Sequence, residues 1–171
     1  TKYIKMKNLI LSIAALFITL TVSSQTIVDA AASNKDFSTL VTALKAADLV
    51  GALSGEGPFT VFAPNNDAFG KIDSETLGSL LKPENVEALS NILTYHVVSG
   101  KLMASDVTKA LKDGYGRVKL TALNGQTFVA RSKGGKIFLK DQNGDMSEVI
   151  ATDVVGTNGV IHVIDSVIMP E

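Results

Sequence analysis

Apolar and polar residues change rhythm twice along this chain. A nearly unbroken apolar run covers residues 9–22, interrupted only by Ser12, Thr19 and Thr21. From there to about Gly100, apolar residues recur every three or four positions, the spacing of a buried helical face. Beyond Gly100 they fall into short runs between glycine-containing turns, the spacing of strands. A helical half followed by a strand-rich half predicts an α+β domain, not alternating βαβ units.

Residues 26–32 read as a short helix. A second helix is capped by Asp36 or Ser38 and buries Phe37, Leu40, Val41, Leu44 and Ala47 or Asp48. Residues 48–53 add a helical turn closed by Gly55 and Gly57. Residues 59–63 form a β-branched and aromatic run, hence a strand. Pro64 ends it, having no N–H for the ladder. Asn65 or Asn66 caps a turn over 67–72, and Ser74 caps a helix carrying Leu77, Leu80 and Leu81. Pro83 opens a helix to about His96, with Val86, Leu89, Ile92, Leu93 and His96 along one face. Residues 106–111 give one more helical turn. Strands follow at 118–123 and 127–131, joined by Asn124-Gly125, a favoured hairpin pair. Further strands are expected at 136–140, 147–155 and 160–169. In the last, Ile161 and Val163 share one face with Asp165 next in register, and Val160, His162 and Ile164 share the other.

The first apolar run changes the domain picture. It follows Lys2, Lys5 and Lys7, and small residues precede a cut after Ser24. That is the layout of a secretory signal peptide over residues 1–24, with Met6 the expected true start. A run of fourteen residues falls short of the roughly 20 a membrane helix needs. Residues 25–171 then make one domain of ordinary size, and no stable membrane insertion is expected after cleavage. Removing the three leader lysines takes the 16 basic residues to 13, against 17 acidic ones. A mildly acidic domain argues against nucleic acid as a partner. The chain has no Cys, which excludes disulfides, thiol catalysis and Cys-ligated metals.

Candidate chemistry is sparse. His96 and His162 each sit in an apolar element, and neither has a ligand at metal-binding spacing. Both are expected to be structural, with Asp67 the partner of His96. On that reading Asp67→Ala costs roughly 1–3 kcal/mol. No Gly-x-Ser-x-Gly elbow and no phosphate-binding glycine loop occurs. The stretch 141–145 lacks the glycine and glutamate of a calcium loop and reads as a hairpin turn. No catalytic, metal-binding or cofactor-binding residue is therefore expected. Tyr95, Val97, Val98, Leu102 and Met103 are candidate surface apolar residues. Val97 and Val98 suit the core better, whereas Tyr95 can pack its ring and offer its hydroxyl to a partner.

Three segments then stand out in order: Gly57-Pro58-Phe59-Thr60-Val61-Phe62-Ala63-Pro64-Asn65-Asn66-Asp67-Ala68-Phe69, Leu93-Thr94-Tyr95-His96-Val97-Val98-Ser99-Gly100, and Asn158-Gly159-Val160-Ile161-His162-Val163-Ile164-Asp165. The chain resembles the fasciclin-like (FAS1) domain family, in a secreted single-domain bacterial form. The resemblance implies a wedge-like β-sandwich flanked by several short helices. It also implies a role outside the cell in adhesion or matrix contact. In animal members a Tyr-His segment, and an Asp beside an apolar residue, are linked to receptor binding. The matching positions here are Tyr95, His96, Ile164 and Asp165. The expected function is a secreted interaction module touching a protein, matrix or cell-surface partner, monomeric or weakly self-associating. A carrier of a small hydrophobic ligand is the alternative, and a hydrolytic enzyme is third.

Overall fold

The computed structural model describes residues 25–171. The expected leader lies outside the described residues. Seven strands form a single sheet in the order β2-β1-β7-β6-β5-β4-β3. They are β1 (Phe59–Pro64), β2 (Val97–Ser99), β3 (Arg117–Thr121), β4 (Thr127–Lys133), β5 (Lys136–Lys140), β6 (Met146–Gly156) and β7 (Gly159–Ile164). Neighbours run antiparallel except β1 and β7, which are parallel, from Phe59 opposite Gly159 to Pro64 opposite Ile164. The sheet nearly closes on itself. Val98 bridges Ala122, and the Leu123 N–H donates to the Val97 carbonyl at 2.8 Å. The long strand β6 supplies the bend. It carries two register irregularities between Val149 and Val154, with Asp153 in the left-handed region at φ 61°.

Helices α1 (Ile27–Ala32), α2 (Ser38–Ala46), α3 (Val50–Ser54), α4 (Asn66–Gly70), α5 (Ser74–Leu80) and α6 (Val86–Tyr95) precede most of the sheet, and α7 (Ala104–Asp113) follows β2. Two apolar cores result. In the first, Ile27, Phe37, Leu40, Leu44, Leu53 and Leu93 cover Val61, Ala63, Ile161 and Val163. In the second, inside the curl, Phe62 and Ile164 meet Tyr95, Val107, Leu111, Phe128 and Leu139. Strands β1 and β7 are thus buried on both faces, which is why they read as continuous apolar runs.

Several boundaries differ from expectation, each for a local reason. Asp73, not Ser74, caps α5 by accepting the Glu75 and Thr76 N–H groups. The 83–96 helix opens as a 3₁₀ turn, Pro83–Asn85, and its α-helical part stops at Tyr95. The chain then makes the short strand β2, which the helical pattern did not announce. The last strand stops at Ile164, not at 169. Side chains capture the backbone beyond it: the Ile168 N–H donates to His96 Nε2 and the Met169 N–H to Asp141 Oδ2, both at 3.1 Å.

Candidate functional site

The three signature segments meet as adjacent strands at one end of the strand order. The first supplies β1, the second the end of α6 and β2, the third β7. Asn158, just before β7, ties them to the helical layer. Its side-chain oxygen accepts the Ile27 N–H at 2.9 Å. Its amide donates to the Leu53 and Gly55 carbonyls at 2.8 and 2.9 Å. Its own carbonyl accepts the Phe59 N–H at 2.9 Å. Sequence reading quoted this residue without giving it a role. An amide that can donate and accept, set before an apolar strand, was the available signal.

Of the four positions implied for receptor contact, three are interior. Tyr95 is 0 % exposed, His96 2 % and Ile164 0 %. Tyr95 closes α6 with its ring inside the curl, edge-on to Phe128 at 5.5 Å between centroids. Its hydroxyl donates to the Thr127 carbonyl at 3.0 Å and does not reach solvent. Burial, with Asp141 nearby, pushes the phenol up to about 12. Tyr95→Phe is expected to cost about 1 kcal/mol in denaturant unfolding by removing that bond. No measurable loss would show the hydroxyl to be idle.

His96 has two backbone partners. Nδ1 lies 2.8 Å from the Ile92 carbonyl and so carries the proton, leaving Nε2 to accept the Ile168 N–H. Burial depresses the ring to about 4. The expected pair with Asp67 does not form, because Asp67 lies in the first turn of α4 and faces solvent. Its two neighbours do the local work. Asn65 Oδ1 accepts the Ala68 N–H at 2.8 Å. The Asn66 amide donates to the Lys35 carbonyl, and its oxygen accepts the Thr39 N–H at 3.0 Å. His162 is also fully paired. It donates to the Leu102 carbonyl and accepts the Asp153 N–H, with its ring against Phe62.

Asp165 is the member of the set that reaches solvent, with 37 % of its side-chain surface exposed. Its carboxylate accepts the Glu148 N–H at 2.8 Å and pairs with Lys71 at 3.2 Å. Burial raises this carboxyl, but the Glu148 N–H, Lys71 and Ser166 outweigh it and hold the group below its ordinary value. The four implied residues therefore form no shared surface.

The exposed chemistry lies elsewhere, on the outer face of β3–β6. Arg117, Lys119, Arg131, Lys133, Lys136 and Lys140 all point outward there, with Val129, Phe138, Met146 and Glu148 between them. Arg117 stands directly opposite Arg131, and Lys133 opposite Lys136. Lys136 is neutralised by Glu148 at 2.7 Å. A groove of about 410 Å³ runs beside the arginines, lined by Tyr115, Gly116, Arg117, Arg131, Lys133 and Met146. Sequence reading missed this face, although Arg117/Lys119 and Arg131/Lys133 alternate at the strand period of two. Between helices and sheet, by contrast, the apolar cavity lined by Leu40, Leu53 and Ile161 holds about 20 Å³. A lipid or pigment needs a chamber of roughly 300–1,000 Å³. Among the described residues no group of three or more His, Asp or Glu side chains is placed to hold a metal ion.

A curled seven-stranded sheet whose parallel β1–β7 pair is covered by short helices defines a sheet-and-helix domain with its signature residues spent on the interior. The family model for the fasciclin domain matches residues 35–170. The chain belongs to the fasciclin (FAS1) domain family. It is 50 % identical to Synechocystis protein sll1483 over 148 residues, 86 % of this chain and 75 % of that protein. It is 36 % identical to human periostin over 141 residues, 80 % of this chain and 15 % of that protein. A FAS1 domain pair from the insect cell adhesion molecule fasciclin I has the same fold. The two superpose with a TM-score of 0.57 at 22 % identity, covering 76 % of this chain and 43 % of that one.

Proposed function

We propose that the protein is a secreted fasciclin-like interaction module, non-enzymatic, that makes protein or matrix contacts at a cell surface. The observation that carries this reading is the division of labour in the fold. The signature side chains are consumed in packing, while an outer sheet face holds six cations, two pairs of them directly opposed. Like charges directly opposite weaken a sheet. A partner that neutralises them turns that local cost into recognition. The leader-like run 9–22 supports export, and the insect relative named as a cell adhesion molecule supports a contact role. Beads coated with the protein are expected to cluster or to bind cells of the source organism. Neither behaviour at high coating density would end this reading.

A further inference from the structure

We propose that the outer face of β3–β6 binds a carboxylated polysaccharide, a polyuronate chain lying along the cation rows. This rests on the reading that the protein works through surface contact, and it names the partner's chemistry. The charge distribution is lopsided. The face holds six of the thirteen basic residues beyond position 24, and one of the seventeen acidic residues. A domain of net negative charge thus shows one strongly positive side, which steers a polyanion to it.

The geometry favours a linear polymer. Cation-bearing positions on one strand repeat at every second residue, about 7 Å apart along the backbone, and opposed positions lie about 5 Å apart between strands. A polyuronate presents one carboxylate on each sugar ring, a repeat of similar size. Arg117 and Arg131 side by side offer two planar forks, each suited to bidentate carboxylate pairing. On this same face Lys136 already holds one carboxylate, that of Glu148, at 2.7 Å. Arg117, Lys119, Arg131, Lys133 and Lys140 make no ion pair among the described residues. At the end of the groove Tyr115 is 98 % exposed, with its backbone held in the left-handed region at φ 55°. An exposed ring beside cations is suited to stack on a sugar.

Other polyanions fit less well. Single-stranded nucleic acid wants several aromatic platforms, and this face offers Tyr115 and a half-buried Phe138. A lipid surface wants apolar side chains gathered at one tip. The exposed ones here are dispersed, with Leu123 on the β3–β4 hairpin, Met146 at the start of β6, and Ile150, Val154 and Val155 further along it.

The test uses sodium polygalacturonate as the probe and the whole protein as the binder, followed by titration calorimetry. Binding is expected, weakened by added salt, with none to neutral dextran. The double variant Arg117→Ser/Arg131→Ser is expected to lose at least ~tenfold in affinity, the scale of two charge-assisted contacts. Lys45→Ser/Lys109→Ser, which removes cations elsewhere on the surface, is expected to bind as the parent does. Circular dichroism checks that each variant is folded, and Lys119→Ser/Lys133→Ser provides a second pair on the face. Undiminished affinity in both face variants would overturn the proposal. So would binding confined to heparin, phosphatidylglycerol vesicles or DNA, or a face that proves to join two copies in sedimentation. Beads that cluster equally with the face variants would sink the polyuronate site alone. Beads that neither cluster nor bind cells would sink the interaction role as well.

Discussion

Gly159→Ala is expected to destabilise the fold by about 4 kcal/mol, at the upper end of single substitutions. In a domain of this size that lowers Tm by about 12 °C. A Cβ on Gly159 would stand 2.2 Å from the Phe59 carbonyl oxygen and 2.9 Å from its carbon. Both are backbone atoms of the neighbouring strand, so no side chain can swing aside. The methyl group can be accommodated only by parting β1 from β7, and that pair carries both cores. Gly78→Ala in α5 is the control. Its Cβ would meet nothing within 4 Å, and helix propensity favours alanine by about 1 kcal/mol. Thermal unfolding of the two variants checks the contrast. Similar melting temperatures for both would contradict the packing argument.

Stability is expected to fall by about 2 kcal/mol between pH 7.5 and pH 5, and by about 3 kcal/mol once pH reaches 4. The cause is His96. Its ring titrates near 6.5 when unfolded and near 4 when folded, because burial disfavours the charged form and outweighs the Ile92 carbonyl. Between those values the unfolded chain binds more protons, so stability rises with pH. The contribution is complete above pH 6.5 and is lost as pH falls toward 4. The geometry states the same conflict. A second proton would sit on Nε2 and point at the Ile168 N–H that it now accepts. Urea unfolding across this range measures the slope. His96→Gln keeps a donor toward Ile92 and an acceptor toward Ile168, and should flatten it. A slope that survives in His96→Gln would move its origin to another group.

Much of this architecture was legible because local chemistry agreed with the fold. The two faces of β7 followed from the strand period of two, and Asn124-Gly125 made its turn with Gly125 at φ 83°. What escaped was decided by neighbours far away in sequence. The stripe of α6 placed Leu89 and Leu93 in the first core, as its spacing implied. Tyr95 lies off that stripe yet is equally buried, because the end of α6 enters the second core inside the curl. Asn65, Asn66 and Asp67 are all competent caps, so pattern alone could not say which would face inward. Asn65 caps the helix, and Asp67 falls in its first turn, exposed to water. The cation rows were visible as alternation within each strand. Their concentration emerged only once β3, β4 and β5 were known to be adjacent.

The parallel pairing of β1 with β7 has a consequence for the order of events in biosynthesis. Phe59 and its partner Gly159 are separated by one hundred residues, and β7 stands between β1 and β6. Until β7 has been translated, β1 lacks its longest neighbour and neither core can close. Contacts this distant in sequence also form slowly, since the intervening chain must be ordered first. The stretch from β1 onward therefore remains open until β7 has been made. That is the state in which a polypeptide can be threaded across a membrane.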